Sequence, residues 1–334
     1  MKRALITGIT GQDGPLLAQL LLGKGYDVSA LIRRTYGQPA AQVRSKLPDV
    51  RLLEGDLRDS ESLLGVIGAV DPHEIYNLAG FSSVGRSWEE AELATDVTGL
   101  GVLRLLEALR THTRGEIGAV RFYQASSSEM FGQPLDSPQN ELTAFHPRSP
   151  YGVAKAFAHH MTINYRESYG AFACCGILYN HESPGRGADF VTRKITRAAA
   201  RISLGLQDEL ILGNIDVRRD WGHAADYVRA MWLMLQADTA ADYVIATGET
   251  HSLRDLLDLA FARVGIEDWA HLVRQDSSFF RPAEVTALVG DSTKARTMLA
   301  WAPTHSFRET IQEMVDADLD IARTVQPGGS SKDS

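Results

Sequence analysis

Tyr151 and Lys155 stand four residues apart in Tyr151-Gly152-Val153-Ala154-Lys155, a spacing that puts both on one helical face. An ammonium beside a phenol favours the phenolate. The pair therefore predicts a tyrosine pulled below its ordinary value of ~10 and able to act as a base on a sugar hydroxyl. Upstream, Gln124-Ala125-Ser126-Ser127-Ser128-Glu129 reads as the end of a strand, where open α/β sheets carry their sites. Near the N-terminus, Thr7-Gly8-Ile9-Thr10-Gly11-Gln12-Asp13-Gly14 has the spacing G-x-x-G-x-x-G between an apolar strand and an apolar-periodic helix. Gly8 suits a tight turn, Gly11 a close approach of backbone to a pyrophosphate, and Gly14 close helix–sheet packing. The next strand ends Leu31-Ile32-Arg33-Arg34, two arginines where an NAD site carries an acid. Guanidinium suits a 2′-phosphate, so the cofactor expected is NADP. Asp56-Leu57, at the end of a third strand, can receive the adenine.

The elements that must position these groups follow from periodicity. Strands are predicted at residues 4–7, 27–32, 50–56, 74–79, 120–126 and 172–178, and helices at 15–24, 60–67, 99–111 and 151–169. Strands alternating with helices imply an α/β fold with a doubly wound parallel sheet and right-handed crossovers. After residue 180 the pattern weakens. Helices are expected at 191–205, 227–236, 253–264, 293–299 and 307–322, and short strands at 209–212 and 242–246. This divides the chain into a Rossmann-type dinucleotide-binding part, 1–180, to which later segments return, and a smaller α/β C-terminal substrate lobe, 181–325. Residues 326–334, rich in Pro, Gly and Ser, read as a disordered tail.

Composition excludes other classes. The chain has 334 residues, a net charge of −8 and 44% hydrophobic residues, ordinary for a soluble globular protein. Its pI of about 5.7 argues against nucleic-acid binding. No apolar run predicts a membrane span, and the start predicts no signal peptide. Cys174 and Cys175 are adjacent, which excludes a disulfide framework and predicts buried thiols in a reducing, cytoplasmic setting. No metal is expected. His181, Glu182 and His223 lack a ligand constellation and fit a supporting or helix-start role better. The stripe Tyr227, Met231, Met234 and Leu235 reads as core.

The glycine loop, strand-end serines and Tyr-x-x-x-Lys, in this order, resemble the extended short-chain dehydrogenase/reductase superfamily. Within it the chain resembles the GDP-mannose 4,6-dehydratase family. The resemblance is carried by Phe122-Tyr123-Gln124-Ala125-Ser126-Ser127-Ser128-Glu129, Pro147-Arg148-Ser149-Pro150-Tyr151-Gly152, Gly176-Ile177-Leu178-Tyr179-Asn180-His181-Glu182-Ser183-Pro184 and Arg219-Asp220-Trp221-Gly222-His223. Phe280-Arg281-Pro282-Ala283-Glu284-Val285 extends it toward the C-terminus. It implies a hydro-lyase turning GDP-D-mannose into GDP-4-keto-6-deoxy-D-mannose and water by internal hydride transfer through bound NADP.

The resemblance also implies roles. Tyr151 takes the C4 hydroxyl proton, Lys155 tunes Tyr151 and holds the nicotinamide ribose, Ser127 bonds the C4 oxygen, and Glu129 is the acid/base at C5 that separates dehydratases from reductases and epimerases. Further cofactor contacts fall on Gly8, Gly11, Gln12, Asp13, Gly14, Arg33, Arg34, Asp56, Leu57 and Leu78. The GDP-sugar falls to Ser82, Asn180, Val191, Lys194, Arg219, Arg281 and Glu284, with Arg186, Arg193 and Arg218 as additional candidate cations. The chain departs from the family at Gly80-Phe81-Ser82-Ser83-Val84, where the hexose is expected. It also departs after Arg34, where relatives reach a neighbouring subunit. A homodimer is therefore favoured over a homotetramer, joined by the helices over 99–111 and 151–169. The alternatives are a related nucleotide-sugar reductase or epimerase, and a catalytically silent nucleotide-binding protein.

Overall fold

The computed structural model describes residues 1–33, 38–279 and 287–325; Arg34, Arg281, Glu284 and the 326–334 tail lie outside them. The strands are β1 (Arg3–Thr7), β2 (Asp27–Ile32), β3 (Arg51–Glu54), β4 (Glu74–Asn77), β5 (Arg121–Ser127), β6 (Phe172–Leu178), β7 (Asn180–Glu182), β8 (Leu210–Leu212), β9 (Arg218–Arg219), β10 (Trp221–His223), β11 (Asp242–Ile245), β12 (His251–Ser252), β13 (Val273–Gln275) and β14 (Ala287–Leu288). The helices are α1 (Asp13–Gly23), α2 (Gln38–Lys46), α3 (Ser60–Val70), α4 (Ala91–Thr95), α5 (Gly101–His112), α6 (Pro150–Tyr169), α7 (Val191–Ser203), α8 (Ala224–Met234), α9 (Leu253–Arg263), α10 (Thr293–Leu299) and α11 (Phe307–Val325).

Among the described residues, seven strands form one parallel sheet in the order β3-β2-β1-β4-β5-β6-β11. Their near-continuous apolar runs suit a sheet covered on both faces. One face is covered by α1, α2 and α8, through Leu17, Leu21, Val43, Met231 and Met234, with Leu47 just past α2. The other is covered by α3, α5 and α6, through Leu63, Ile67, Leu105, Leu109, Ala158 and Tyr165. Strand order reverses between β1 and β4, so a crevice opens above their C-terminal ends.

The second half is shared. α8, β11 and the stretch with Ala295, Leu299 and Trp301 belong to the first half's sheet and core. A separate core joins α7, α9 and α11 through Ile195, Ala199, Leu256, Phe261, Ile311 and Val315. Of the short strands here, β8 and β11 match predicted segments. β7, β9, β10, β12, β13 and β14 have two or three residues each, too few for an alternating pattern to register.

Candidate active site

The glycine loop is shaped by contacts that exclude side chains. Gly8 has φ +80°, and a methyl group there would lie 2.8 Å from the Ala79 nitrogen and 2.9 Å from the Leu78 carbonyl carbon. The loop thus rests on the end of β4, which brings Leu78 beside it. A methyl group at Gly14 would lie 2.5 Å from Ile9 Cα and 2.6 Å from the Gly8 oxygen. That tight seat lets α1 begin at Asp13, earlier than its apolar period suggests. At Gly11 the N–H donates to the Gly8 oxygen at 3.0 Å. A Cβ at Gly11 would meet only the Gly8 oxygen, at 3.3 Å, so the loop's outer side is open to the close approach of a dinucleotide's pyrophosphate at the start of a helix. Gly14→Ala is expected to destabilise the protein by ~1–3 kcal/mol and to weaken dinucleotide binding further. A thermal melt and a cofactor titration on that variant check this; a melt coincident with wild type would show that the loop yields freely.

Asp13 is held by contacts within the protein. Its Oδ2 pairs with His181 Nε2 at 2.8 Å, and its Oδ1 accepts from Gln12 Nε2 at 3.1 Å. Gln12 Nε2 also donates to the His181 carbonyl at 2.9 Å. Burial pushes the Asp13 carboxyl up, but the His181 charge and these hydrogen bonds more than offset it and hold Asp13 below the usual carboxylate range. His181 is held above the usual imidazole range by Asp13, against its burial. This pair fastens β7 to the glycine loop. His181, left out of the site by its sequence context, is therefore part of its frame.

At the far end of the crevice, Arg33 is exposed at the end of β2. Its charge, together with Arg58, lowers Asp56. Asp56 spends its carboxylate on Arg58, accepting from the backbone N–H and Nη2, each at 2.9 Å. Leu57 is packed in the core against Gly101.

The catalytic candidates meet where β5 ends and α6 begins. Ser149 caps α6 by accepting from Gly152 N–H at 3.1 Å, and Pro150 follows at the first helical position. A methyl group at Gly152 would lie 2.7 Å from the Glu129 carbonyl oxygen. The first turn of α6 is thereby pressed onto the Ser128–Met130 turn, and Tyr151 reaches Ser127 and Glu129. The Ser127 hydroxyl hydrogen-bonds Tyr151, and its oxygen accepts from Glu129 N–H at 3.2 Å. Ser127, Tyr151 and Lys155 are buried, and Glu129 is half-buried. From the loop after β4, Ser87 Oγ accepts from Tyr151 N–H at 3.3 Å.

The expected pull of Lys155 on Tyr151 is corrected here. Burial raises Tyr151 to about 12; the Ser127 hydrogen bond and the Arg186 charge only partly offset it, and Glu129 adds to it. Lys155 is itself brought down to about 8 by burial. Its Nζ donates to the Ala125 carbonyl at 2.6 Å and lies 5.7 Å from the centroid of the Tyr151 ring.

Among the residues expected to meet the GDP-sugar, β7 pairs with β10 so that Asn180 faces Trp221, and Arg219 is buried two residues before Trp221. Val191 opens α7 and Lys194 lies exposed one turn on; Ser82 is exposed beyond β4. Arg186 pairs with Glu182 at 3.1 Å and lies 3.7 Å over the Phe190 ring, with its charge felt at both Asp13 and Tyr151. Arg193 leaves the set of candidate phosphate cations. It is buried, bonded to Asp318 at 2.7 Å, and donates to the Pro184 carbonyl. Arg218 donates to the Thr250 carbonyl at 2.6 Å. His223 caps α8 by accepting from Ala225 N–H, a helix-start role. His159, Cys175 and Asp242 cluster below α6, but Arg166 takes both Asp242 oxygens at 2.9 Å, the place a cation would need.

A sequence profile of the GDP-mannose 4,6 dehydratase family matches residues 5–314. The chain belongs to the GDP-mannose 4,6-dehydratase family. It is 50% identical to GDP-mannose 4,6 dehydratase 2 of Arabidopsis thaliana, over 96% of this chain and 88% of that one. It is 47% identical to GDP-mannose 4,6 dehydratase of Homo sapiens, over 96% and 92%. Its fold resembles UDP-glucose 4-epimerase of Thermus thermophilus in complex with NAD, with TM-score 0.81 and 27% identity over 95% of this chain and 98% of that one. The dTDP-glucose 4,6-dehydratase of Bacillus anthracis, 20% identical with TM-score 0.81 over 95% and 96% of the two chains, shares the fold. Among the described residues, no helix is long and apolar enough to cross a membrane.

Proposed function

We propose that this protein is an NADP-dependent GDP-D-mannose 4,6-dehydratase, a hydro-lyase that forms GDP-4-keto-6-deoxy-D-mannose and water. The observation that carries the reading is Glu129 beside Ser127 and Tyr151. A carboxylate at that place serves elimination, and simple oxidation or reduction at C4 has no use for it. NADP, when bound, stores one hydride between C4 and C6. Gly8, Gly11, Gln12 and Gly14 would hold its pyrophosphate, Arg33 its 2′-phosphate, and Lys155 its nicotinamide ribose.

The chain's own groups do the proton work. Ser127 bonds the C4 oxygen, and Tyr151 takes the C4 hydroxyl proton. Because burial favours the phenol, the Ser127 hydrogen bond and the Arg186 charge are the groups that make its phenolate reachable. A C4 ketone acidifies the C5 proton; Glu129 removes it and passes it to the C6 oxygen, which leaves as water. Glu129 then delivers to C5 a proton drawn from solvent, and Tyr151 releases the C4 hydroxyl proton to solvent, so the protons balance. Asn180 and Arg219, from neighbouring strands, are assigned to the diphosphate, because planar guanidinium suits phosphate oxygens. The separate core of α7, α9 and α11 supports reading the second half as mainly the nucleotide-sugar lobe.

The exposed apolar side chains Trp88, Val153 and Phe157, two of them on α6, support a homodimer. Two buried free thiols, Cys174 and Cys175, support a cytoplasmic setting. The deciding experiment is proton NMR of GDP-mannose incubated in D2O with the enzyme and a trace of NADP. The expected product is a 4-keto-6-deoxy sugar with deuterium at C5 and no net cofactor reduction. Stoichiometric consumption of NADPH would instead point to a reductase, and silence on every GDP-hexose to a non-catalytic protein.

A further inference from the structure

Beneath the catalytic cluster runs a line of polar side chains that the chemistry above does not use. Thr7 ends β1, Asn77 ends β4, and Gln124 lies near the end of β5. The ladders set Thr7 opposite Asn77, and Asn77 opposite Gln124, so all three side chains point to the face that α6 covers. All are buried, at 0%, 0% and 1% exposure.

Their hydrogen bonds form one directed chain. Ala79 N–H donates to Thr7 Oγ1 at 3.1 Å, and Thr7 Oγ1 donates to Asn77 Oδ1 at 2.6 Å. Asn77 Nδ2 donates to Gln124 Oε1 at 2.8 Å, and Gln124 Nε2 donates to the Ala125 carbonyl at 2.9 Å. Lys155 Nζ donates to that same carbonyl at 2.6 Å. The line starts where the glycine loop rests on Ala79 and ends on the acceptor of the catalytic lysine. Bonds aligned head to tail polarise one another, and a carbonyl has room for two donors.

We propose that Gln124 is a positioning residue for Lys155: its amide shares the Ala125 carbonyl with the lysine and, through Asn77 and Thr7, ties that acceptor to the strand carrying the glycine loop. The role given to Lys155 rests on the dehydratase reading above. The physical consequence is direct. The positive end of the Gln124 amide converges on the acceptor the ammonium uses, so it weakens that acceptor for the ammonium. Burial already brings Lys155 down to about 8. The titratable groups that face it are Tyr151 on its own helix and Asp13 at the start of α1.

The test is an NMR titration of the Lys155 ε-carbon in the full-length protein, with and without NADP, alongside steady-state kinetics. Gln124→Met keeps the length and removes the donor. Its Lys155 midpoint is expected to rise by ~0.5 pH unit or more, with kcat lowered about tenfold and KM for GDP-mannose within about twofold. Thr7→Val breaks the line at its far end and is expected to move the midpoint in the same direction by less. An unchanged Lys155 midpoint in folded Gln124→Met would overturn the proposal. Should that variant not fold, an unchanged midpoint in Thr7→Val would overturn it. Because the midpoint is read without substrate, a wild-type enzyme inert toward GDP-mannose would sink the dehydratase reading while this test still stands.

Discussion

Tyr151→Phe is expected to lower turnover of GDP-mannose about a thousandfold or more while leaving NADP affinity within about threefold of wild type. The ring is buried at the first turn of α6, and phenylalanine fills the same volume. What goes is one oxygen, the atom that meets the Ser127 hydroxyl. Thermal stability should therefore change little, since the lost bond is a single neutral one, worth roughly 0.5–1.5 kcal/mol net. The measurement is kcat and KM on purified variant, with cofactor affinity by titration. Wild-type-like turnover would remove Tyr151 from the mechanism. The same variant separates two sources of its reactivity. Burial holds Tyr151 near 12, and Arg186 is a cation that opposes this, so the alkaline rise of kcat in wild type should follow Tyr151 and vanish in the variant.

Glu129→Gln carries the second large effect, and it falls at a different step. The amide has the size of the carboxylic acid but cannot take a proton from C5. Oxidation at C4 should proceed and elimination should stall, with 4-keto-6-deoxy product lowered about a thousandfold. Quenching a single turnover with borodeuteride should then label C4 of a sugar that keeps its C6 hydroxyl. NMR in D2O should show no deuterium at C5. If deuterium enters C5 at the wild-type rate, another base acts there. The two variants together distinguish a proton acceptor at C4 from one at C5, which turnover alone cannot do.

Local signals were legible in the amino-acid sequence because their geometry is local. Tyr151 and Lys155 share a face because a helix repeats every 3.6 residues, and no distant contact is needed to bring them together. Gly8 and Gly14 mark a turn and a close helix start for the same reason. The alternation of strands and helices up to residue 178 was sufficient for a parallel, doubly wound sheet. The family resemblance rested on the same short strings.

What the tertiary structure alone decided comes from residues far apart in the chain. Asp13 meets His181 across 168 positions, and Lys155 meets Gln124 through a carbonyl set by strand register. β11 becomes an edge of the main sheet although it lies deep in the second half. The arginines divide only in three dimensions: Arg193 is spent on Asp318, while Arg186 lies within electrostatic reach of Tyr151. The direction of the Tyr151 shift was invisible for the same reason. A four-residue spacing specifies that a lysine is near, but desolvation depends on everything packed around the pair, and here burial outweighs the Ser127 hydrogen bond and the Arg186 charge.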